Sequence, residues 1–206
     1  MLEARELEAT RGDVTLFRGL AFQLTPGALL RVTGANGSGK TSLARMLCGL
    51  LGPATGEVRW NGENIRALRE EYWRVLAHVG HSNALKDDLT AAENLAFACG
   101  IAGLTVPHER VLAALGRFGL AGRERLPVRA LSQGQRRRAA LARLAVGEAQ
   151  PLWILDEPFA ALDAAGIELV QSLAGEHLAR GGMVVLTTHQ DARIKAPSAT
   201  DINLDH

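Results

Sequence analysis

Nine consecutive residues, Gly34-Ala35-Asn36-Gly37-Ser38-Gly39-Lys40-Thr41-Ser42, combine glycines, one lysine and three hydroxyl side chains. Glycines let the backbone bend until several N–H groups point at one anion. Lys40 can reach the outer phosphates of a nucleoside triphosphate, and the Thr41 hydroxyl can ligate Mg²⁺. The first eight residues fit G-x-x-x-x-G-K-[ST], which has meaning only between a strand and a helix. The plainer alternative is a tight strand-to-helix turn with a solvated lysine. Only Lys40, Lys86 and Lys195 are lysine in a chain of 23 Lys and Arg, so a lysine at this position stands out.

Three further constellations bear charge or hydrogen-bonding groups. Leu152-Trp153-Ile154-Leu155-Asp156-Glu157 is an apolar run ending in two carboxylates. Asp156 suits a metal shell, and Glu157 could polarise an attacking water. A capping acid after a strand is the ordinary reading. Leu131-Ser132-Gln133-Gly134-Gln135 precedes an Arg-rich helix that Ser132 would N-cap, and exposed N–H groups there form an anion site. A capped surface helix with solvated arginines competes with that reading. His189, after Thr187-Thr188, could hydrogen-bond a phosphate, though a lone histidine is more often structural.

These groups need elements to position them. Leu2–Leu7, Val14–Leu24 and Ala28–Thr33 read as strands, and Lys40–Leu51 as a helix stopped by Gly52-Pro53. Val58–Trp60 runs into Asn61-Gly62, a hairpin signal. Arg74–Val79 reads as a further strand. Residues 83 to 130 carry helical patterns at Thr90–Ala102 and Glu109–Gly116 and no convincing strand. Leu152–Leu155 and Met183–Thr187 have the short, continuously apolar character of buried parallel strands. Helices at about 133 to 147 and 164 to 180 flank them. The expectation is an α/β fold with a parallel sheet, an antiparallel N-terminal β part and a helical insertion at about 83 to 147. Carboxyl ends of parallel strands are where ligands bind in such folds.

Composition narrows the function classes. The 206 residues hold 23 basic and 22 acidic side chains, a formal charge of +1, which disfavours sequence-independent nucleic-acid binding. Residues 1–8 lack the apolar stretch of a secretory signal. The apolar run Leu95–Val106 is too short to span a bilayer and reads mainly as core. Cys48 and Cys99 have no metal-ligand spacing and suit reduced thiols in a cytosolic protein.

Taken in order, these segments resemble the ATP-binding-cassette (ABC) ATPases over essentially the whole chain, read as one cassette covering 1–206. Gly34–Thr41 resembles the Walker A loop, Leu152–Asp156 the Walker B strand and Leu131–Gln135 the signature. Ala161-Leu162-Asp163 resembles the D-loop and His189 the switch histidine. The signature is the specific part, since it separates this family from other P-loop enzymes. The resemblance implies ATP and Mg²⁺ as ligands, with Thr41 and Asp156 at the metal. It implies Glu157 as catalytic base and His189 as holder of the γ-phosphate and water. It also implies a head-to-tail homodimer, in which Ser132, Gln133, Gly134 and Gln135 of one copy face the nucleotide of the other. An integral-membrane permease, docked near Leu85–Leu104, is implied as well. Softer segments, among them Trp153–Phe159, Leu186–Gln190 and Val79-Gly80-His81, are similar to the branch that serves haem handling in c-type cytochrome biogenesis. That branch works peripherally on the cytoplasmic face of the inner membrane. A lipid or drug exporter, or a soluble ABC protein, is the alternative.

The chain departs from the family pattern at three places. Gln133 stands where glycine is usual, and Ser82 stands where the Q-loop glutamine is expected. Arg11 stands where an aromatic residue usually stacks on adenine, with Phe17 the weaker candidate.

Overall fold

The computed structural model describes residues 1–146, 150–190 and 193–205. The chain begins with β1 (Leu2–Arg11), β2 (Val14–Leu24) and β3 (Ala28–Thr33), followed by α1 (Lys40–Leu47). Next come β4 (Thr55–Trp60), β5 (Glu63–Asn64), the short helices α2 (Ile65–Leu68) and α3 (Glu70–Arg74), and β6 (Leu76–Val79). Three helices follow: α4 (Ala91–Ile101), α5 (His108–Arg117) and α6 (Gln133–Leu141). The chain closes with β7 (Leu152–Asp156), α7 (Ala164–Ala179), β8 (Met183–Thr187) and β9 (Ser198–Asn203).

Two sheets result. The antiparallel one has the order β2-β1-β4-β5, and the parallel one β6-β7-β8-β3-β9. In the parallel sheet β7 and β8 are buried at every residue, as a sheet covered on both faces requires. Side chains alternate between its two faces. Trp153, Leu155, Val184 and Leu186 enter one apolar cluster together with α4–α7. Leu152, Ile154, Met183 and Val185 enter the other, with α1 and the antiparallel sheet. The glycine-rich loop after β3 and the carboxylates after β7 therefore emerge at the same edge of one rigid layer. Among the described residues, no helix is long and apolar enough to cross a membrane.

Several expected boundaries shift for identifiable reasons. Helix α1 stops at Leu47, four residues short of the predicted end at Leu51. Gly49 adopts φ +73°, its N–H donates to Met46 O at 2.9 Å, and the Leu50 N–H donates to Arg45 O at 2.8 Å. That is a Schellman closure, which terminates the helix before Gly52-Pro53 is reached. The first strand continues past Leu7 to Arg11 because β2 keeps pairing with it through Arg11↔Val14. Helix α6 ends at Leu141 and tightens into a 3-10 turn over Ala142–Ala145; residue 147 of the expected helix lies outside the described residues. The hairpin at Asn61-Gly62 forms with φ +51° and +88°, as a primed turn requires.

Candidate nucleotide site

Lys40 is the first residue of α1, and its side chain turns back across the preceding loop. Its ammonium donates to Gly34 O at 2.7 Å and Ala35 O at 3.0 Å, so the charge lies over the loop rather than in solvent. Gly39 precedes it at φ +107°, and a Cβ there would sit 3.0 Å from Phe17 Cδ1. Only glycine satisfies both the left-handed backbone and that close approach. Asn36, Gly37, Gly39, Lys40, Thr41 and Ser42 line a cleft of about 190 Å³ together with Arg11, His81 and Glu157. The Ser38 hydroxyl is buried beside them with no hydrogen-bond partner among the described residues. At the far side of the loop, the Ala35 N–H donates to Asp205 Oδ1 at 2.6 Å.

The carboxylates at the end of β7 differ sharply in setting. Asp156 is buried and accepts the Thr187 hydroxyl, which ties it to the neighbouring strand β8. Glu157 leaves the sheet with φ +49°, a left-handed conformation costly for a residue with a side chain. Three hydrogen bonds hold it there. Its N–H donates to Thr187 O and Thr187 Oγ1, each at 3.1 Å, and its carbonyl accepts from Arg137 Nη2 at 2.7 Å. The twist aims the side chain at the cleft. His189 Nδ1 lies 2.9 Å from Glu157 Oε2, close enough for an imidazole N–H to donate to the carboxylate.

The Ser132 segment starts α6 through a reciprocal cap. Ser132 Oγ accepts from the Gln135 N–H at 3.2 Å, and Gln135 Oε1 accepts from the Ser132 N–H at 3.0 Å. Gln133 sits in ordinary helical backbone with an exposed side chain, so the local fold makes no demand for the usual glycine. Gly134 does face a restriction, since a Cβ there would lie 3.1 Å from Ala161 O. Asp163 N-caps α7 through the Gly166 N–H at 2.9 Å and pairs with Arg138. These hydrogen bonds and the Arg138 charge hold its carboxyl below the usual range. Ser132, Gly134, Gln135, Arg138, Ala161 and Asp163 line a cleft of their own, of about 390 Å³.

Placement separates the remaining candidates. Phe17 is buried against the loop and serves the core, which leaves Arg11 as the candidate that lines the cleft. Ser82 is exposed and does not line the cleft, whereas its neighbour His81 does.

Sequence reasoning missed Arg137, read only as one of several solvated arginines. It is 2% exposed, and its five N–H donors meet five acceptors. Nη1 reaches Gly80 O at 2.9 Å and Asn83 Oδ1 at 3.2 Å; Nη2 reaches Asp156 O at 3.3 Å and Glu157 O at 2.7 Å; Nε reaches Pro158 O at 3.3 Å. One planar group thus ties α6 to the end of β7 and to the turn after β6. Burial lowers its pKa while Asp156 and Glu157 oppose the shift.

A glycine loop closed by a lysine, with carboxylates at the next strand end and a capped Ser-x-Gly-Gln helix start, defines a class of nucleotide-hydrolysing cassette. The chain belongs to the ABC transporter family, whose profile matches residues 17–160, and it is an ATPase. It is 54% identical, over 93% of this chain and 89% of the relative, to "Cytochrome c biogenesis ATP-binding export protein CcmA" of Nitrosomonas europaea. It is 50% identical, over 99% of this chain and all of the relative, to the protein of the same name from Dechloromonas aromatica. Among solved structures, "Structure of ATP binding subunit of ABC transporter" superposes with a TM-score of 0.85 at 26% identity, covering 98% of this chain and 86% of that one. "Dimeric Structure of MJ0796, a Bacterial ABC Transporter Cassette" shares the fold at TM-score 0.82 and 23% identity, covering 99% of this chain and 95% of that one.

Proposed function

We propose that the chain is the ATPase subunit of an export complex that couples ATP hydrolysis to haem handling in c-type cytochrome biogenesis. It would act as a peripheral subunit on the cytoplasmic face of the inner membrane. The names of its relatives support the pathway, and the site supports the chemistry. Lys40 and the loop N–H groups bind the phosphates of ATP, Arg11 stacks on adenine, and Glu157 accepts the proton of the attacking water. His189, bonded to Glu157, orients that carboxylate. Magnesium, when bound, neutralises phosphate charge. Thr41 and Asp156 would hold it, and a hydroxyl and a carboxylate are the hard oxygen donors it takes, one or two from the protein and the rest from phosphate and water.

The observation that carries the quaternary reading is the separation of the two clefts. Lys40, Thr41 and Glu157 line one, whereas Ser132, Gly134 and Gln135 line the other. A head-to-tail pair of copies would set the signature of each against the phosphates of its partner, giving two complete sites from one sequence. For the permease, a groove of about 530 Å³ lies between α3 and the end of α4, with Leu50, Trp73, Ile101, His78 and Arg143 among its walls. Trp73 is 52% exposed and Ile101 73%, an apolar surface suited to a helix from a membrane subunit. Ile101 to Gly103 belong to the predicted docking segment; its remainder serves chiefly the helical core.

The test is deletion of the gene followed by complementation, read as covalently bound haem in membranes and as proteins co-purifying with the tagged chain. Loss of c-type cytochromes, rescue by the wild type but not by Lys40→Ala, and capture of an integral-membrane subunit are expected. Normal c-type cytochromes in the deletion strain would refute the assignment.

A further inference from the structure

We infer that His81, rather than Ser82, is the side chain that the turn after β6 presents to the terminal phosphate of ATP, and that it is needed for turnover. The inference rests on the nucleotide site proposed above. β6 pairs in parallel with β7 through Val79↔Leu155, so the turn leaves the sheet beside the Asp156-Glu157 carboxylates. Arg137 then fixes the turn at both ends, through Gly80 O at 2.9 Å and Asn83 Oδ1 at 3.2 Å. The same guanidinium holds the carbonyls of Asp156, Glu157 and Pro158. The turn and the carboxylates are therefore positioned by one rigid plane. Two residues lie between the anchored ends, and only one of them borders the cleft. His81 lines it together with Lys40, Thr41 and Glu157, while Ser82 does not.

Chemistry points the same way. A neutral imidazole carries a donor and an acceptor at opposite edges of one ring. It can donate to a γ-phosphate oxygen and accept from a water lying between that phosphate and Glu157. The serine hydroxyl is shorter, and Ser82 is not among the residues that line the cleft. His81 is exposed, and among the described residues no hydrogen bond or ion pair engages its side chain, so replacing it does not threaten folding.

The experiment uses the full-length chain assembled with its membrane subunit, and compares kcat, KM and nucleotide affinity for His81→Ala, His81→Gln and Ser82→Ala. Removing a hydrogen bond made to the transition state costs about 10²-fold in kcat. His81→Ala is expected to lose at least tenfold in kcat, with KM and ATP affinity within threefold. His81→Gln, which keeps a donor and an acceptor, should recover a measurable part of that loss, and Ser82→Ala should stay within twofold of wild type. Wild-type kcat in His81→Ala, or an equal loss in Ser82→Ala, would overturn the inference. Lys40→Ala in the same assay tests the site itself: retained ATP affinity there would remove the nucleotide site, and a selective loss of affinity would leave His81 to be judged on its own kcat.

Discussion

Replacing Arg137 with methionine keeps most of the apolar stem and deletes the guanidinium, so the five acceptors around it lose their donors together. Hydrogen bonds involving a charged group contribute about 1.5–3 kcal/mol each, but they are not additive when one group makes them all. Gly80 O and Asn83 Oδ1 belong to a partly exposed turn and regain water; the carbonyls of Asp156 and Pro158 sit on buried residues and do not. Counting the two bonds at the buried end, to the carbonyls of Asp156 and Pro158, and discounting the others gives about 3–5 kcal/mol once non-additivity trims the upper end. For a chain of this size that is a fall in Tm of roughly 6–20 °C. Stability is only half of the expectation. Glu157 is held in its left-handed backbone in part by Arg137, so the variant should also lose ATP turnover by more than the fraction of unfolded protein accounts for. Circular dichroism melts and steady-state phosphate release, both at a temperature where the variant is folded, make the comparison. A stability loss under 1 kcal/mol together with unchanged kcat would refute the claim that this residue joins α6 to the carboxylates. Arg137→Lys separates charge from geometry, because a single ammonium cannot satisfy acceptors arrayed around a planar fork, and it should rescue little.

Glu157→Gln keeps the shape of the site and removes the proton acceptor; hydrolysis should fall by at least 10²-fold while ATP-dependent dimerisation, followed by size-exclusion chromatography, persists. His177 is buried and stacked on Trp153 at 4.0 Å, and burial pushes its pKa down to about 4. The unfolded chain binds the proton near pH 6.5 and the folded chain does not, so stability should fall by about 3 kcal/mol in all as pH drops from 6.5 towards 4. Urea titrations across that range should show the fall in wild type and a flatter profile in His177→Phe. Asn94 is buried, accepts the Lys86 N–H at 2.7 Å, and donates to the carbonyls of Lys86, Leu89 and Thr90 at 3.0–3.2 Å. Asn94→Ala should therefore cost about 2–3 kcal/mol in the same titrations, and a cost near zero would show that water replaces those bonds.

Whatever depends on neighbours along the chain is legible in the residues alone. The glycine loop, the capping pair Ser132 and Gln135, the Asn61-Gly62 turn and the apolar strands at 152–155 and 183–187 are each written in a few consecutive residues, because turn, cap and strand chemistry is local. β9 shows the limit of that reading. Its residues, Ser198–Asn203, are largely exposed and carry no strand periodicity. They become a strand because the open edge of β3 supplies hydrogen-bonding groups and Arg31 pairs with Asp201. The residues around the nucleotide cleft divide in the same way. Lys40, Asp156 and Glu157 declare themselves by type and spacing. Arg137 looks like one cation in a run of three, and His81 like the residue before the one that matters. Their placement follows from β6 and α6 meeting at the end of β7, across 57 residues of chain between Gly80 and Arg137. Separations of that length are closed by packing of the core, which no short motif encodes, and so it is folding that selects which arginine is buried and which of two adjacent side chains borders the cleft.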